Sequence, residues 1–393
     1  MRRARIQIAA AGSGIAVLAI CAQGVSHSAA SAAPSTSSLG GDVHASAPAR
    51  VATKKPTELQ RIVRSLVAAH VPGAVVFVRT PKGVRSAAAG LASLQPRVAM
   101  HATDRYRIAS VTKTFVATVV LQLAAEGKLS LNDPVERWLP RMVPNGASIT
   151  LRELLNHSSG LFDYDQDQAW VSARIADPGR EWSPHELVAI ATSHPPLFSP
   201  GADWSYSNTN YILLGLVVDA ATGETLAEEL HDRIFEPLGL GSTSYPTGTA
   251  IPSPFAHGYF VGRPPLPVPA GTLIDVSTIL SPSAWGAGQI VSNTHDLTTF
   301  FAALLKGRLL PARFLAQMKA GSPVSLNYGL GLRNTYTPCG KAFGHDGDIP
   351  GYRNVVWATA NGRRVASIMV NIDETRVSWS KLHAVAVSAL CVG

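Results

Sequence analysis

The chain has 393 residues, of which 46% are hydrophobic and 15% are charged, and its formal net charge is +8. At about 150 residues per domain this length allows two or three units with a large buried core, and the apolar content excludes a disordered chain. The 34 Lys and Arg residues form no run longer than a pair. Because no basic stripe is available to follow a phosphate backbone, we expect no binding of nucleic acid.

Residues 1–33 have the three parts of a secretory signal peptide. A basic start around Arg3 is followed by an apolar run at residues 15–20 and by small residues at 28–33. The alternative is an uncleaved membrane anchor, but the apolar run is shorter than the roughly 20 residues that cross a bilayer. We therefore expect cleavage of this segment, a secreted, extracellular protein and no stable membrane anchor.

Residues 34–56 are predicted to be a flexible linker, because Ser, Ala, Gly and Pro dominate and large apolar side chains are almost absent. Residues 57–393 are predicted to form the folded domain. Capping residues and apolar periodicity indicate its helices and strands. Helices are predicted from Thr57, from Ser110 to near Gly127, and over residues 150–156, 184–191, 208–221, 226–234, 296–305 and 377–390. Extended segments are predicted over residues 74–78, 328–332, 342–345, 355–359 and 365–372.

Strands near both ends with helices between them indicate an α+β fold. We expect an antiparallel sheet flanked by helices, formed by residues of about 57–105 and 290–393, and an inserted, mainly helical part of about 106–289. Such an arrangement leaves a cleft between the two parts.

The segment Ser110-Val111-Thr112-Lys113 is an S-x-x-K motif at the start of the second predicted helix. A spacing of three residues places Lys113 one turn from Ser110 on the same face. A serine hydroxyl needs an adjacent base to become a nucleophile, and burial favours the neutral form of a lysine. Alone the motif is weak, because a solvated lysine near a serine is common.

Two later motifs follow in order. Tyr206-Ser207-Asn208 is a Y-x-N at a loop-to-helix junction, although a capping asparagine beside a packed tyrosine gives the same pattern. A second Y-x-N occurs at Tyr352-Arg353-Asn354, but the first is preferred because a phenol and an amide at a loop-to-helix junction in the helical part can face the Ser110 helix across a cleft. His345-Asp346-Gly347 lies on a late strand, where glycine lets a substrate backbone approach.

The order of the three motifs resembles that of the penicillin-recognising serine hydrolases, specifically the secreted D-alanyl-D-alanine carboxypeptidases that share a fold with class C β-lactamases. The likeness covers most of the domain. It is carried by Arg107-Ile108-Ala109-Ser110-Val111-Thr112-Lys113, His157-Ser158-Ser159-Gly160-Leu161, Ser205-Tyr206-Ser207-Asn208-Thr209-Asn210, Tyr328-Gly329-Leu330-Gly331-Leu332 and Gly344-His345-Asp346-Gly347-Asp348-Ile349-Pro350-Gly351-Tyr352.

The resemblance implies an acyl-enzyme mechanism. Ser110 would attack a D-Ala-D-Ala amide or ester while Lys113 and Tyr206 move protons, and His345 is the fourth candidate catalytic residue. Asn208 would hold the acyl-side amide.

The same resemblance implies a set of substrate-binding residues. The oxyanion would lie between the backbone N–H groups of Ser110 and Asp348, with Gly347 on the same strand. Arg333 and His345 would meet the leaving carboxylate, and Trp285 would form a wall of the cleft.

The last two cysteines, Cys339 and Cys391, form an even pair once residues 1–33 are removed, which suggests a disulfide in an exported chain. The alternative is two buried thiols. The family resemblance also implies a disulfide at these positions.

Asp346 and Asp348 depart from the hydroxyl residues that the family commonly has there. If these carboxylates face the cleft, each would repel an anionic leaving group by roughly 3 kcal/mol at about 5 Å and an effective dielectric constant of 20. A neutral ester or a substrate with a free amino group would then be favoured. The alternative is that Arg333, Arg353 or His345 binds the two side chains.

The resulting hypothesis is a secreted serine D-alanyl-D-alanine carboxypeptidase that acts on peptidoglycan stem peptides and is acylated by β-lactams. An esterase, a D-aminopeptidase or amidase, a β-lactamase and a non-catalytic wall-binding module are the alternatives. No cofactor or metal is expected, because a Ser-Lys-Tyr mechanism needs none, and G-x-S-x-G is absent around Ser110. A monomer is expected.

Overall fold

A seven-stranded antiparallel sheet forms the centre of the protein in the computed structural model, which describes residues 56–262, 268–280, 282–373 and 376–391. The strands are β1 (Gly73–Thr80), β2 (Gly83–Leu94), β3 (Arg97–Ala99), β4 (Tyr106–Arg107), β5 (Tyr259–Val261), β6 (Leu273–Asp275), β7 (Val291–Ser292), β8 (Arg333–Thr337), β9 (Gly340–Ile349), β10 (Tyr352–Thr359) and β11 (Val365–Val370). The main sheet has the order β3-β2-β1-β11-β10-β9-β8, while β4 pairs with β7 and β5 pairs with β6. Both ends of the chain therefore contribute to one sheet.

Helices cover both faces of the sheet and make up most of the segment between its two halves. They are α1 (Glu58–Val67), α2 (Thr112–Ala125), α3 (Val135–Trp138), α4 (Leu151–Leu155), α5 (Gln168–Ala176), α6 (Pro184–Thr192), α7 (Thr209–Thr222), α8 (Leu226–Leu230), α9 (Glu236–Leu238), α10 (Trp285–Gly288), α11 (Thr294–Leu305), α12 (Ala312–Lys319) and α13 (Trp379–Cys391). A π-helical turn, His231–Phe235, joins α8 to α9. None of the described helices is long and apolar enough to span a membrane.

The sheet separates two apolar cores. Residues of α1 and α13 pack on one face, where they meet side chains such as Val76, Val355 and Ile368. The larger core lies on the other face and joins side chains of the sheet, such as Val356, to α2, α7 and α11. The predicted α+β architecture with an antiparallel sheet flanked by helices is confirmed.

Local sequence explains several helix starts. Thr57 and Thr150 each accept a hydrogen bond from the backbone three residues later, and Gln60 and Glu153 bond back, so both helices begin with a capping box. Helix α2 has almost no amphipathic character because it is buried on nearly every side, including Phe115.

Some predicted elements differ from the structure. Residues 328–332 were expected to be extended, but the strand begins only at Arg333. Gly331 has φ +70°, outside the strand region, and a Cβ there would lie 2.4 Å from that of Ala117 in α2. Strand β2 is not among the predicted elements, because its alanine-rich sequence lacks the bulky residues typical of strands. The predicted signal peptide, and all but the last residue of the predicted linker, lie outside the described residues.

Candidate active site

Ser110 and Lys113 meet at the start of α2, where a 3-10 turn, Ala109–Val111, leads into the helix. Lys113 Nζ lies 3.1 Å from Ser110 Oγ, and it donates to Asn208 Oδ1 at 2.7 Å and to the Ala287 carbonyl at 2.7 Å. Three partners fix the position of the amine. It is therefore held next to the hydroxyl from which it would take a proton.

The backbone before the serine is strained. Ala109 has φ +49°, a left-handed conformation that costs an alanine free energy and that persists only where the surrounding structure enforces it. The preceding residue, Ile108, donates its N–H to the Ile290 carbonyl at 3.0 Å, which ties this segment to the chain after α10. Strain of this kind commonly occurs at functional sites because it presents a side chain in a set direction.

Burial lowers the pKa of Lys113 to about 7. The charges of Asp163, Asp165 and Asp346 act against this shift, and Arg333 adds to it. A large fraction of Lys113 is consequently neutral near pH 7, as a general base must be.

Tyr206 lies on the same side of the serine. Its hydroxyl is hydrogen-bonded to Ser110, and its ring centre is 4.9 Å from Lys113 Nζ. Burial and the neighbouring Tyr328 raise the pKa of Tyr206 well above its ordinary value, so the phenol keeps its proton at neutral pH. Lys113 is therefore placed to act as a base, and Tyr206 is placed to pass a proton on.

Asn208 does not cap α7 with its side chain, although it stands at the N-cap position. Its Oδ1 accepts from Lys113, and its Nδ2 donates to Asp163 at 3.2 Å and to Asp165 at 2.8 Å. Burial raises the pKa of both carboxyl groups, and the charge of Asp165 raises that of Asp163 further. Two acids whose protonated forms are favoured by burial thus lie behind the amide expected to bind the acyl side of a substrate.

Strand β9 runs beside the nucleophile. A Cβ at Gly347 would lie 2.2 Å from the Ile108 carbonyl, so only glycine allows this close approach. Within the described residues β8 pairs with β9 only as far as Gly344. The β8-side edge of β9 therefore has no strand partner from His345 to Ile349, while the other edge pairs with β10. An extended substrate can add to such an edge.

His345 is the end of a chain of buried side chains. Ser207 N–H donates to His157 Nδ1, so His157 carries its proton on Nε2 and donates to the Tyr328 hydroxyl at 3.2 Å. Tyr328 in turn donates to His345 Nε2 at 2.9 Å, and His345 Nδ1 donates to the Asp346 carbonyl at 2.6 Å. Each ring nitrogen of His157 and His345 has a hydrogen-bond partner when both histidines are neutral. Burial lowers the pKa of each histidine, which favours this neutral form.

The expectation that His345 meets the leaving group differs from this geometry. Its side chain has no exposed surface, and both nitrogens are engaged within the protein. Its hydrogen bonds go to the Tyr328 hydroxyl and to the backbone of β9.

The side chains of Asp346 and Asp348 are bound by neighbouring groups. Arg333 Nε lies 2.9 Å from Asp346 Oδ1, and His383 Nε2 lies 3.2 Å from its Oδ2. Asp348 Oδ2 lies 3.4 Å from Arg353 Nε. Of the two alternatives left open by the sequence, the structure shows the one with paired carboxylates.

Helix α10 packs against α2 and the 3-10 turn that carries Ser110. Trp285 begins it with φ +39° and is partly exposed, and its Nε1 donates to the Trp182 carbonyl at 2.8 Å. Two residues later, Ala287 provides the carbonyl that accepts from Lys113. One short helix thus positions both a candidate contact surface and a partner of the base.

Two further features lie away from Ser110. Cys339 and Cys391 are joined by a disulfide that ties the end of α13 to the β8–β9 turn. Among the described residues a possible metal-binding group is exposed in and just after the π-helical turn and does not include the residues around Ser110; it consists of His231, Asp232 and Glu236.

Several side chains near Ser110 had no role in the sequence analysis. His157 and Tyr328 lie inside segments that carried the family resemblance, so those segments were the available signal. Asp163, Asp165 and the Ala287 carbonyl have no spacing relation to Ser110 that a pattern would detect. Their role depends on contacts between distant parts of the chain.

Comparisons with known proteins agree with this geometry. A solved D-stereospecific amidohydrolase from Streptomyces sp. is 38% identical, has a TM-score of 0.75, and is matched over 84% of this chain and 97% of its own. A D-aminopeptidase of Brucella anthropi is 29% identical over 77% of this chain and 58% of its own length. A penicillin-binding protein of Bacillus subtilis (strain 168) is 28% identical over 72% of this chain and 64% of its own length. The chain thus spans less than two thirds of the length of these last two relatives.

The Beta-lactamase family profile matches residues 59–389, nearly the whole described chain. Its relatives include penicillin-binding proteins, an esterase and enzymes that act on D-amino acid derivatives. Together with the arrangement of Ser110, Lys113 and Tyr206, these matches identify the chain as a serine hydrolase of the Beta-lactamase family, in the penicillin-recognising group.

Proposed function

We propose that the protein is a secreted amidohydrolase that cleaves amide bonds of D-amino acid derivatives with a free amino group on the acyl side. The observation that carries this proposal is the acid pair, Asp163 and Asp165, bonded to Asn208 next to the neutral base Lys113. Asp165 is partly exposed and can pair with a substrate ammonium. The 38% identity to a D-stereospecific amidohydrolase supports the D configuration.

The reaction proceeds in two steps. Neutral Lys113 takes the hydroxyl proton of Ser110 while Oγ attacks the carbonyl carbon, and the oxyanion meets the backbone N–H of Ser110 and of β9. The C–N bond then breaks as the proton passes through Tyr206 to the leaving nitrogen. Water hydrolyses the acyl-serine ester by the reverse proton path and frees the D-amino acid.

Purified protein is tested with D-alanine p-nitroanilide, its L-enantiomer and the N-acetylated D-compound. We expect hydrolysis of the free D-compound, slower hydrolysis of the other two, and none by the Ser110→Ala variant. Turnover of a simple nitrophenyl ester without any preference for D-configured amides would overturn the proposal and favour an esterase.

The role of the acid pair is tested separately with Asp165→Asn. The loss of its charge should raise KM for the free-amine substrate by about tenfold, since a charged hydrogen bond contributes roughly 1.5 kcal/mol or more. The KM for the N-acetylated substrate serves as the matched control and should change little. Equal effects on both substrates would show that Asp165 does not bind the amine.

A D-alanyl-D-alanine carboxypeptidase is the second candidate, and Arg333 favours it. The guanidinium carbon lies 5.8 Å from the Tyr206 ring centre, within reach of a leaving group that carries a carboxylate. The similarity to a penicillin-binding protein points the same way. Release of D-alanine from an N-acylated peptide ending in D-Ala-D-Ala, with a long-lived penicillin adduct on Ser110 seen by mass spectrometry, would favour this candidate.

A further inference from the structure

Arg333 is the cation at the leaving-group side of the cleft. It stands at the first position of β8, just before the open edge of β9, and its guanidinium lies 5.6 Å from the Tyr328 ring centre and 5.8 Å from that of Tyr206. About a third of its side chain, 32%, remains exposed. It is therefore accessible from the cleft and close to the reacting groups.

Asp346 already forms an ion pair with this cation. Its Oδ1 lies 2.9 Å from Arg333 Nε, and only 15% of its side chain is exposed. Its register partner on β10 is Val355, which belongs to the core under α1 and α13. The carboxylate thus approaches Arg333 from the α13 side of the strand and compensates its charge.

A second contact holds the carboxylate in place. Trp357 Nε1–H donates to His383 Nδ1 at 3.2 Å, so His383 carries its proton on Nε2. That N–H points to Asp346 Oδ2 at 3.2 Å. Helix α13, which carries His383, is itself tied to the β8–β9 turn by the disulfide. The carboxylate is consequently fixed between a cation and a neutral donor.

We infer that Asp346 is a specificity-determining residue that cancels the charge of Arg333 and so makes the leaving-group side select neutral amides over carboxylate-bearing amines. This inference rests on the proposed function and deepens it, because it concerns the other half of the same substrate. An uncompensated Arg333 would attract a leaving group such as D-alanine, whereas the Arg333–Asp346 pair has no net charge to offer.

The first experiment compares two substrates with the same D-alanyl acyl part, D-alanyl-D-alanine and D-alanyl-D-alaninamide. Asp346→Asn keeps an acceptor for His383 and removes the charge, and it should raise the ratio of kcat/KM for the carboxylate over the amide at least tenfold. Arg333→Gln in the same background should remove this gain. Glu58→Gln, which removes an exposed charge on α1, is the matched control and should leave the ratio unchanged.

The second experiment does not depend on turnover. In the Ser110→Ala background, calorimetry measures the binding of free D-alanine and of D-alaninamide with Asp346 intact or replaced by Asn. We expect tighter binding of D-alanine, but not of D-alaninamide, after the replacement. Asp346→Thr provides the same comparison if the Asn variant fails to fold, as judged by circular dichroism.

The outcomes separate the two ideas. If the wild type cleaves neither amide, the proposed function fails, and the binding measurement still decides the role of Asp346. If the wild type cleaves the amide but the ratio and the D-alanine affinity are the same in Asp346→Asn, the inference is overturned while the proposed function stands. The inference is also overturned if the higher kcat/KM ratio of Asp346→Asn persists when Arg333 is replaced by Gln.

Discussion

Lys113 owes its reactivity to where it is buried. Asn208 Oδ1 and the Ala287 carbonyl accept from its amine, Ser110 Oγ lies 3.1 Å from it, and burial lowers its pKa to about 7. The base must be neutral to accept a proton, and a lysine is neutral above its pKa. We therefore expect kcat/KM to rise with pH through about 7 and to level off above it. A pH profile with the N-acetylated D-alanine nitroanilide checks this, because a free α-amino group would itself titrate near pH ~8, and a value of kcat/KM that falls across this range would contradict it.

Asp165 tunes the same profile. Its negative charge raises the pKa of Lys113, so Asp165→Asn should lower that pKa and move the acid limb of the kcat/KM profile to lower pH. The N-acetylated substrate is the one to use, because it lacks the amine that Asp165 is proposed to bind. An acid limb that stays in place or moves to higher pH would show that the two groups are not electrostatically coupled.

Tyr328 joins His157 and His345, whose Nε2 atoms have no other hydrogen-bond partner among the residues that the structure describes. Tyr328→Phe removes both hydrogen bonds, and a buried polar atom without a partner costs about 1–3 kcal/mol. We expect a loss of that size in the free energy of unfolding, measured with urea. Tyr336→Phe is the matched control, since Tyr336 is 81% exposed and should change stability by less than about 0.5 kcal/mol. Equal stability of the two variants would refute a stabilising role of the hydrogen bonds from Tyr328 to the two histidines.

At the scale of elements, the site depends on how closely β9 approaches the turn before α2. The alternation of residues along β9 places Gly347 against Ile108, next to the nucleophile segment. The same alternation turns Asp346 and Asp348 toward the α13 side, where Arg353 and His383 meet them. One face of β9 thus contacts the segment that carries the nucleophile, and its other face contacts the layer formed by α13.

Gly347→Ala tests this close approach. The added Cβ would lie 2.2 Å from a backbone oxygen, so the strand or the turn must move, and kcat should fall by 10²-fold or more because about 1 Å of misplacement has such an effect. Gly241→Ala is the control, because no atom lies within 4 Å of its added Cβ. Full activity of Gly347→Ala would show that the spacing between β9 and the nucleophile is not needed.

For the whole molecule, the larger core joins the sheet to the helical part. Val75 of β1 and Val356 of β10 belong to the same buried cluster as residues of α2, α7 and α11. The two parts of the fold consequently share most of their apolar burial, and the cleft lies over a continuous core.

This shared core predicts that both parts unfold together. Urea unfolding followed by far-ultraviolet circular dichroism and by tryptophan fluorescence should give coincident transitions. Trp170 and Trp182 report on the helical part, and Trp357 reports on the sheet. Two separated transitions would mean that the helical part is an independent folding unit.

Much of the fold followed from local signals. The capping residues Thr57 and Thr150 and the apolar strand 74–78 mark elements that the structure contains. Strand β2 was missed because its alanines pack against β1 and α1 without the bulk that marks a strand. The segment 328–332 has the apolar pattern of a strand, but the structure places it in contact with α2 instead of in the sheet.

By itself the sequence determined the order of the motifs, the family they resemble and the pairing of Ser110 with Lys113, because a spacing of three residues on a helix sets their proximity without help from the rest of the chain. Only the tertiary structure decided that Lys113 is buried beside Asp163 and Asp165, that His345 is enclosed, and that Asp346 is bound to Arg333. Desolvation and ion pairing depend on distances between residues far apart in the chain, and such distances exist only after folding.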